Sequence, residues 1–519
     1  MKKNVVLLTP PSHSHRTAEE SLGIGYLASV LRRDGHAVTI VDGWLLDLAV
    51  EDMVRRVISI GCVDLIGVSC YRSSIEDVRD LVSALRRHLS TTPIVGGGYG
   101  PTFHAEEFLR VGCDYVLCGE GEQSIADLLS ALERGPSAIA SVSGLVFKDA
   151  AGTVVRNKKI APVEHLDELP FPSRDSIRAT MALKNPVHIS TSRGCMAHCL
   201  FCSVIAFDRA MEQSVRWRYR SIRSIVEEVY HLYHEFGAEC YKIVDDSFME
   251  HPRDAAWACA FGEELRKRGL KIRFRTQVRA DRLTPEIVQA LAGAGWFATS
   301  VGIENGSASA LARMNKSATL EHNLNALALL EQHGIYVQMG MILFDHATTM
   351  AELWENFRFL ETLHWPVTKG IFTEMFAAEG TPFTRIVKGL SGISVAEHGN
   401  YQYRRESPPV EVVYRALKIW HRSHSVAYDH AINPISAPKV LPGEGYREYQ
   451  GICALLYRQD LAFFKEALTF AECPTGTIDD FVSGQIGASA PFYDRMQRSL
   501  SSLDAKYGLS YIATPNKFL

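Results

Sequence analysis

Long hydrophobic runs are missing from this sequence. No apolar stretch reaches the roughly 18–20 residues that a membrane-spanning helix needs, and the start, Met1–Leu8, is too short for a secretion signal. An excess of one charge is missing as well, since 55 lysines and arginines face 59 aspartates and glutamates, for a formal charge of −4. We therefore expect neither a membrane protein nor a surface that follows a polyanion such as nucleic acid.

Cysteine is too sparse for a disulfide framework, and the total of 11 is odd. Three cysteines, Cys195, Cys199 and Cys202, stand within eight residues. The others lie among apolar neighbours, where we expect buried thiols in a reducing cytoplasm: Cys62, Cys70, Cys113, Cys118, Cys240, Cys259, Cys453 and Cys473. Internal repeats and low-complexity segments are also absent, so 519 residues with 46% hydrophobic side chains predict about three ordinary globular domains.

The first 150 residues alternate short apolar runs with segments of helical periodicity. Strands are predicted at residues 4–8, 37–41, 65–69, 93–95 and 115–117. Helices are predicted at residues 22–33, 54–60 and 75–89. This alternation predicts an α/β fold with a Rossmann-like, doubly wound parallel sheet at residues 1–150. Such sheets bind ligands beyond the carboxyl ends of their strands, where this stretch places its proline and glycine loops.

A second αβ series follows a charged, turn-rich linker at residues 151–185. Its predicted strands are residues 187–192, 240–244, 272–276, 298–303, 337–343 and 370–375. The helices between them are residues 222–236, 255–267, 285–294 and 351–363. Six such units predict a partial (β/α)6 barrel of TIM type at residues 186–395, with its chemistry at the carboxyl ends of the strands. Helical periodicity beyond that point predicts a mainly helical domain at residues 396–519.

The three clustered cysteines are the strongest chemical signal. The segment Cys195-Met196-Ala197-His198-Cys199-Leu200-Phe201-Cys202 directly follows the first predicted barrel strand. Closely spaced thiolates suit iron–sulfur clusters and zinc. Zinc needs a fourth ligand, and His198 lies between two cysteines rather than at an outer position. Three thiolates on a four-iron cluster would leave one iron open to another molecule. The spacing favours the cluster, with structural zinc as the alternative.

The pattern Cys195-x3-Cys199-x2-Cys202, with Phe201 before the last cysteine, resembles the signature of the radical S-adenosylmethionine (SAM) enzymes. The resemblance implies a [4Fe–4S] cluster held by these cysteines, with SAM chelating the open iron. It also implies one-electron cleavage of SAM to a 5′-deoxyadenosyl radical that abstracts a hydrogen atom. Such a reaction needs an external one-electron reductant of the flavodoxin or ferredoxin type.

Further motifs resemble the SAM site of this family. Val244-Asp245-Asp246-Ser247-Phe248 resembles the second-strand motif near the SAM amino group, with a loop or cap pair as the alternative. Gln277-Val278-Arg279-Ala280-Asp281 resembles the region where an arginine pairs with the SAM carboxylate, with a surface salt bridge as the alternative. Gly302-Ile303-Glu304 resembles the strand end beside the ribose and adenine. The implied SAM residues are Phe201, Asp245, Asp246, Gln277, Arg279 and Glu304.

The N-terminal domain has neither a dinucleotide G-x-G-x-x-G motif in its structural context nor a G-x-x-x-x-G-K-[ST] phosphate loop. It resembles instead the cobalamin-binding domain that precedes many radical SAM barrels. The matching segments are residues 7–11, 22–28, 95–101 and 114–122, whose glycines let the backbone approach a flat macrocycle closely. The implied cobalamin residues are Pro10, Gly23, Tyr71, Arg72, Gly97, Gly98, Tyr99, Gly119, Glu120 and Gly121.

No protein histidine is predicted to ligate cobalt. Asp34-Gly35-His36 comes close to the D-x-H-x-x-G motif of cobalamin mutases, but Thr39 replaces the glycine and the segment ends the first helix. We therefore expect His36 to be a turn residue. The loop at residues 69–73 is the segment expected under the corrin ring, with Tyr71 or Arg72 blocking a ligand rather than supplying one.

Together the resemblances cover residues 4–385 and imply a cobalamin-dependent radical SAM methyltransferase. Such an enzyme transfers a methyl group from methylcobalamin to an unactivated carbon of a small-molecule biosynthetic intermediate. Ring contraction, rearrangement or oxidative cyclisation with the same cofactors stays open as the alternative. Polar and aromatic residues of the C-terminal region either line a substrate pocket or belong to a core, which is favoured for Tyr414 and Trp420: Tyr401, Tyr403, Trp420, His421, His424, Tyr428, Asp429 and His430.

Overall fold

The computed structural model describes residues 2–11, 20–212, 216–363, 371–395, 401–436 and 441–509. Within these ranges the chain forms an α/β sheet domain, a partial barrel and a helical C-terminal region. None of the helices described is long and apolar enough to cross a membrane. All eleven cysteines fall inside the described ranges, and each is a free thiol.

Seven strands form the N-terminal sheet, in the spatial order β2-β1-β3-β4-β5-β6-β7. They are Asn4–Thr9 (β1), Ala37–Asp42 (β2), Leu65–Ser69 (β3), Ile94–Gly97 (β4), Tyr115–Leu117 (β5), Leu145–Lys148 (β6) and Val154–Arg156 (β7). The first five are parallel, and the last two pair antiparallel at the edge. The predicted doubly wound parallel sheet is confirmed, whereas the sequence analysis did not anticipate β6 and β7.

Helices cover both faces of this sheet because its strands are buried on both sides. The helices are Leu22–Arg33 (α1), Gly43–Leu46 (α2), Val50–Ile58 (α3), Ile75–Arg86 (α4), Tyr99–Arg110 (α5), Glu122–Arg134 (α6) and Pro136–Ile139 (α7). Alternate residues of β1 enter different cores: Val5 and Leu7 pack with α1 and α6, while Val6 and Leu8 pack with α3, α4 and α5. The near-continuous apolar runs of the sequence therefore produce a sheet sandwiched between two helical layers.

The partial barrel is built on five parallel strands in the order β14-β13-β12-β11-β8. The strands of this part are Val187–Ile189 (β8), Ser192–Gly194 (β9), Trp217–Tyr219 (β10), Cys240–Ile243 (β11), Arg273–Arg279 (β12), Trp296–Glu304 (β13) and Tyr336–Met341 (β14). β9 and β10 form a separate antiparallel ribbon. A parallel bridge between Phe344 and Glu374 continues the sheet, and it is what the described residues contain of the sixth expected strand. Gly370, where that strand was expected to begin, lies outside the described residues.

Helices surround the outside of the barrel strands. They are Ile177–Ala182 (α8), Ser203–Ala210 (α9), Ile222–Phe236 (α10), Ala255–Lys267 (α11), Pro285–Gly293 (α12), Ala308–Arg313 (α13), Leu320–Gln332 (α14) and Met350–Glu361 (α15). Five of them start at a serine, threonine or aspartate whose side chain accepts a hydrogen bond from the first turn: Thr319 for α14, and Ser221, Asp254, Thr284 and Thr349 for the four helices that the sequence predicted. These caps explain why the helix starts were predicted to within a residue.

The C-terminal region packs onto the barrel, its long helices as part of one continuous core and Phe383, Val387 and Tyr403 in a second, smaller cluster. Its elements are Pro382–Lys388 (α16), Ser394–Val395 (β15), Tyr401–Gln402 (β16), Pro408–Ser436 (α17), Gly443–Glu472 (α18) and Ile478–Tyr507 (α19). Tyr457 of α18 donates to the carbonyl of Leu360 at 2.7 Å, and Trp354 Nε1 donates to Glu472 at 2.7 Å. Most of the C-terminal polar aromatics are core residues rather than pocket residues, because they are buried: Tyr403, Tyr414, Trp420, His421, His424, Tyr428 and His430.

Candidate functional site

The three clustered cysteines lie on the loop between β9 and α9. Cys195 and Cys199 are buried in one small apolar group, and Cys202 packs against it. Gly194, which precedes them, has φ +84°, and a Cβ there would collide with the carbonyl oxygen of Arg216. Glycine is therefore required at the point where the chain turns into the loop. Burial raises the pKa of all three thiols, that of Cys195 to about 11.

Neighbouring segments hold this loop in place through its backbone. Arg216 Nη1 donates to the carbonyl of Met196 at 3.4 Å, and Nη2 donates to the carbonyl of Ala197. Asn315 Nδ2 donates to the carbonyl of His198 at 2.9 Å. Across the described part of the chain, no three His, Cys, Asp or Glu side chains converge closely enough for a single metal ion. The donor set offered here is thus three thiols on one buttressed loop, which fits a polynuclear cluster.

Asp245 and Asp246 follow β11 and do different things. Asp245 is buried and accepts hydrogen bonds from Thr191 N at 2.6 Å, from Thr191 Oγ1 and from Ser192 Oγ at 2.7 Å. It therefore fastens β11 to the segment between β8 and β9. Asp246 opens onto the interdomain cleft, where its Oδ2 accepts from Gly194 N at 3.1 Å, and desolvation raises its pKa to about 7. Of the two, Asp246 faces the space that a ligand could enter.

Arg279 lies at the end of β12, behind the cysteine loop. Its Nε and Nη2 donate to Asp281 at 3.0 and 2.7 Å, and its Nη1 donates to Glu250 at 3.1 Å. Glu250 is itself buried and accepts from the Cys195 thiol at 3.5 Å. Two carboxylates thus already pair with the guanidinium, and its pairing with a SAM carboxylate stays a prediction. Gln277, two residues earlier, is exposed.

Glu304 ends β13 in the left-handed region with φ +66°, which non-glycine residues rarely adopt. Its Oε1 accepts a hydrogen bond from the buried Lys316 Nζ at 2.9 Å. Lys316 also lies near Cys199, whose thiolate would raise the lysine pKa. Lys316 was not among the residues predicted to contact SAM, although the segment Met314-Asn315-Lys316 resembles a motif of these enzymes. It brings a cation to the edge of the cysteine loop.

A cavity of about 290 Å³ opens at the carboxyl ends of β3, β4 and β5. Its floor is apolar, with Leu7, Val95, Leu117 and Ile125 among the lining side chains. Three residues of the barrel, Ser190, Arg193 and Val244, complete the wall. Six of the ten residues predicted to contact cobalamin line this cavity: Gly23, Gly97, Gly98, Gly119, Glu120 and Gly121.

The glycines keep this cavity open. A Cβ on Gly23 would meet no atom within 4 Å, and one on Gly97 would meet only the Leu117 carbonyl, at 3.9 Å. Side chains at these positions would project into the empty space. An apolar cavity walled by glycine backbone at the carboxyl edge of a parallel sheet fits the nucleotide tail of cobalamin.

The remaining predicted cobalamin residues lie around the cavity rather than in its wall. Tyr71 is half exposed in the cleft and stacks on Trp44 at 5.6 Å. Arg72 pairs with Glu107 at 3.1 Å. Tyr99 stacks on Phe207 of α9 at 6.0 Å, so it reaches the helix that follows the cysteine loop. These contacts bring the loop after β3 and the start of α5 to the space between the two domains.

Three further predicted residues have structural partners. Pro10 is buried beside the start of α2. Its carbonyl oxygen lies so near Gly43 that a Cβ on this glycine would be only 2.6 Å away. Phe201 is half buried against the cysteine group. His36 precedes β2, at the opposite end of the strands from the cavity, and its Nδ1 accepts from Lys3 N at 3.3 Å. This placement agrees with the expectation that His36 is a turn residue.

Comparison with protein families identifies both domains. Residues 15–129 match the B12 binding domain, and residues 189–360 match the radical SAM superfamily. Together the two matched regions cover more than half of the chain. The chain belongs to the cobalamin-dependent radical SAM enzymes. The enzyme's cofactors are accordingly cobalamin, a [4Fe–4S] cluster and SAM, and the zinc alternative is set aside.

Curated relatives of this radical SAM enzyme differ in their names. This chain is 27% identical over 370 residues to an uncharacterized methyltransferase of Pyrococcus horikoshii, a match that covers 69% of this chain and 78% of the relative. It is 28% identical over 356 residues to an anaerobic magnesium-protoporphyrin IX monomethyl ester cyclase of Synechocystis, with 64% and 67% covered.

A solved structure shares the whole fold of the enzyme. The cobalamin-dependent SAM radical enzyme OxsB, with aqua-cobalamin and SAM bound, superimposes with a TM-score of 0.77 at 19% identity. The match covers 97% of this chain and 79% of OxsB. The likeness therefore extends through the C-terminal helices, and at this identity it establishes the fold alone.

Proposed function

We propose that this enzyme is a methyltransferase that moves a methyl group from cobalamin to an unactivated carbon of a small-molecule biosynthetic intermediate. One observation carries the proposal: the glycine-walled cavity and the cysteine loop meet in the same cleft. Arg193 lines the cavity and stands two residues before Cys195, while Tyr99 stacks on Phe207, five residues after Cys202. A substrate in this cleft would have both cofactors within reach.

The chemistry explains why two cofactors are needed. An unactivated carbon is no nucleophile, so it cannot attack the SAM methyl group directly. When bound, the reduced cluster with SAM supplies a hydrogen-abstracting radical, and cobalamin supplies the methyl group. Cys195, Cys199 and Cys202 would hold the cluster, and Asp246 and Lys316 would present opposite charges to SAM.

The other assignments are part of the proposal. Asp245 would act on SAM through the loop that it fastens, Arg279 would pair with the SAM carboxylate, and Phe201, Gln277 and Glu304 would contact SAM. The glycines of the cavity wall, with Glu120, would surround the nucleotide tail, while Tyr71, Arg72 and Tyr99 would lie near the corrin ring. A flavodoxin or ferredoxin type protein would supply electrons in the cytoplasm.

The proposed division of the chain follows the same roles. A cobalamin domain at residues 1–150 and a linker at 151–185 precede a radical SAM barrel at 186–395. A helical domain at 396–519 completes the chain. The name of the Pyrococcus horikoshii relative supports methyl transfer.

Labelled SAM tests methyl transfer directly. The enzyme, loaded with cluster and cobalamin under anaerobic conditions, is incubated with methyl-labelled SAM, a reductant and candidate substrates. We expect a product heavier by one labelled CH₂ unit, formed together with 5′-deoxyadenosine. A variant with all three loop cysteines changed to alanine is the control and should give neither product. Formation of 5′-deoxyadenosine and an altered substrate without the label would contradict methyl transfer.

Oxidative ring closure is the second candidate, because the Synechocystis relative is named a cyclase. It would use the same cleft and both cofactors. The product mass separates the two reactions, since ring closure removes hydrogen and adds no carbon. The same incubation therefore decides between them.

A further inference from the structure

The ribbon of β9 and β10 connects the wall of the N-terminal cavity with the cysteine loop. Arg193 and Arg218 are paired across this ribbon, and both guanidinium groups reach the loop after β5. Arg193 Nη2 donates to Glu122 Oε1 at 2.6 Å, and its Nη1 lies 3.3 Å from Glu120 Oε1. Arg218 donates to both oxygens of Glu120, at 2.8 and 3.0 Å. Two arginines of the barrel thus meet two glutamates of the cobalamin domain.

This group of four charges is balanced and largely shielded from solvent. The side chains of Arg218, Glu120 and Glu122 are less than a tenth exposed, and Arg193 is one fifth exposed. Glu120 also accepts from Val163 N at 2.9 Å. Charge-assisted hydrogen bonds of this geometry fix the relative position of the groups that they join. The ribbon and the loop after β5 are therefore held as one unit.

Arg193 contacts the cavity through its side chain and leads to the cysteine loop through its backbone. Its side chain lines the cavity and lies over the ring of Tyr26, with Cζ 5.2 Å from the ring centroid. Its backbone leads through Gly194 into Cys195, and Gly194 N donates to Asp246 at 3.1 Å. Directly before the partner strand β10, Arg216 donates to carbonyls of the cysteine loop. A displacement of the Arg193 side chain would therefore be transmitted to the first cluster ligand.

We propose that Arg193 is a positioning residue that couples occupancy of the N-terminal cavity to the geometry of the cluster loop. Bound cobalamin would contact the wall that Arg193 forms and would favour the position in which the Arg193 guanidinium pairs with Glu122. The ribbon then holds Cys195 in the position that the cluster requires. Because coupling between two sites is reciprocal, the cluster tightens cobalamin binding by the same factor. The inference concerns binding and does not depend on which reaction the enzyme catalyses.

Dissociation constants for cobalamin, measured on cluster-loaded and cluster-free full-length protein, test this coupling. In the wild type we expect binding to the cluster-loaded chain to be about five-fold tighter or more. In Arg193→Gln and in Glu122→Gln the ratio should fall close to one. Arg156→Gln is the matched control, because it breaks an exposed pair with Glu106 in the same domain, at 2.9 Å and away from the cavity. It should keep the wild-type ratio.

Electron paramagnetic resonance of the reduced cluster gives a second readout, which a general loss of stability would not reproduce. Adding cobalamin should change the wild-type spectrum and leave that of Arg193→Gln unchanged, at equal iron and cobalamin content. A wild-type ratio of one, or wild-type ratios in both variants, would overturn the proposal. If Arg193→Gln does not fold, Glu122→Gln decides, because it leaves the ribbon and the cysteine loop unaltered.

Discussion

Replacing Gly97 with leucine should weaken cobalamin binding while leaving the apo protein intact. Gly97 ends β4 at the cavity, and its φ lies outside the left-handed region, so its backbone accepts any side chain. A Cβ there meets only the Leu117 carbonyl, at 3.9 Å, and the rest of the leucine would enter the 290 Å³ cavity. The new side chain and the ligand would therefore compete for the same space.

The magnitude follows from packing energetics. Forcing additional methylene groups into a well-filled site costs about 1–3 kcal/mol. This cost corresponds to a roughly five- to 150-fold higher dissociation constant for cobalamin. In the apo protein the effect has the opposite sign, because leucine would fill an empty apolar cavity. Cavity filling commonly adds about 0.5–2 kcal/mol to the free energy of unfolding. Stability and cobalamin affinity should thus move in opposite directions.

Absorbance titration with cobalamin and thermal unfolding of the apo protein measure the two effects. Gly96→Ala is the control on the neighbouring residue of the same strand, because only the backbone of Gly96 borders the cavity and its Cβ would lie on the other face of the sheet, in ordinary contact with Cys113 Sγ at 3.5 Å and Pro101 Cγ at 3.7 Å. It should bind cobalamin as the wild type does. Wild-type affinity in a folded Gly97→Leu variant would refute the assignment of this cavity to cobalamin.

Two further predictions concern the cluster and the C-terminal core. Changing Cys195, Cys199 and Cys202 together to alanine should abolish iron binding and SAM cleavage, while cobalamin should still bind with the affinity of the cluster-free chain; iron analysis, 5′-deoxyadenosine assay and absorbance measure these, and iron retained at the wild-type level would contradict the ligand assignment. Burial raises the pKa of Asp460, which accepts from Trp420 Nε1 at 2.9 Å, to about 7. The unfolded carboxyl ionises near pH 4, so the unfolded state binds fewer protons between about pH 4 and 7, and the free energy of unfolding should fall as pH rises through that window. Asp460→Asn should make the free energy of unfolding, measured by chemical denaturation, depend less steeply on pH. An unchanged pH dependence would disprove the raised pKa of Asp460.

Local patterns explain how much of the fold was predictable. Ile222–Phe236 (α10) and Ala255–Lys267 (α11) were predicted with their observed bounds, because capping side chains precede apolar residues at helical spacing. The edge strands β6 and β7 were missed, since each has at most four residues within a turn-rich stretch. α19 lies in the region predicted to be helical, but its bounds were not predicted, because its apolar face is narrow, with five buried residues among thirty.

In the candidate site, too, local features could be predicted from the sequence and contacts between distant residues could not. Cys195, Cys199 and Cys202 were recognisable because three ligands on one loop have a fixed spacing in sequence. The ion pairs of Arg193 and Arg218 with Glu120 were not, because their partners lie about 70 and 100 residues apart and belong to different domains. Glu120 was expected to contact cobalamin, and the fold shows that it also joins the two domains.

The sequence by itself determined the chemistry available to this protein: the cysteine spacing, the glycine loops after the strands and the order of the domains. These are local features, and neighbouring residues suffice to specify them. Tertiary structure alone decided which charges are already paired and which face the cleft, as Asp245 and Asp246 show. Adjacent carboxylates have the same chemistry in the unfolded chain. Only the packing of distant strands buries one among hydrogen-bond donors and leaves the other open to a ligand.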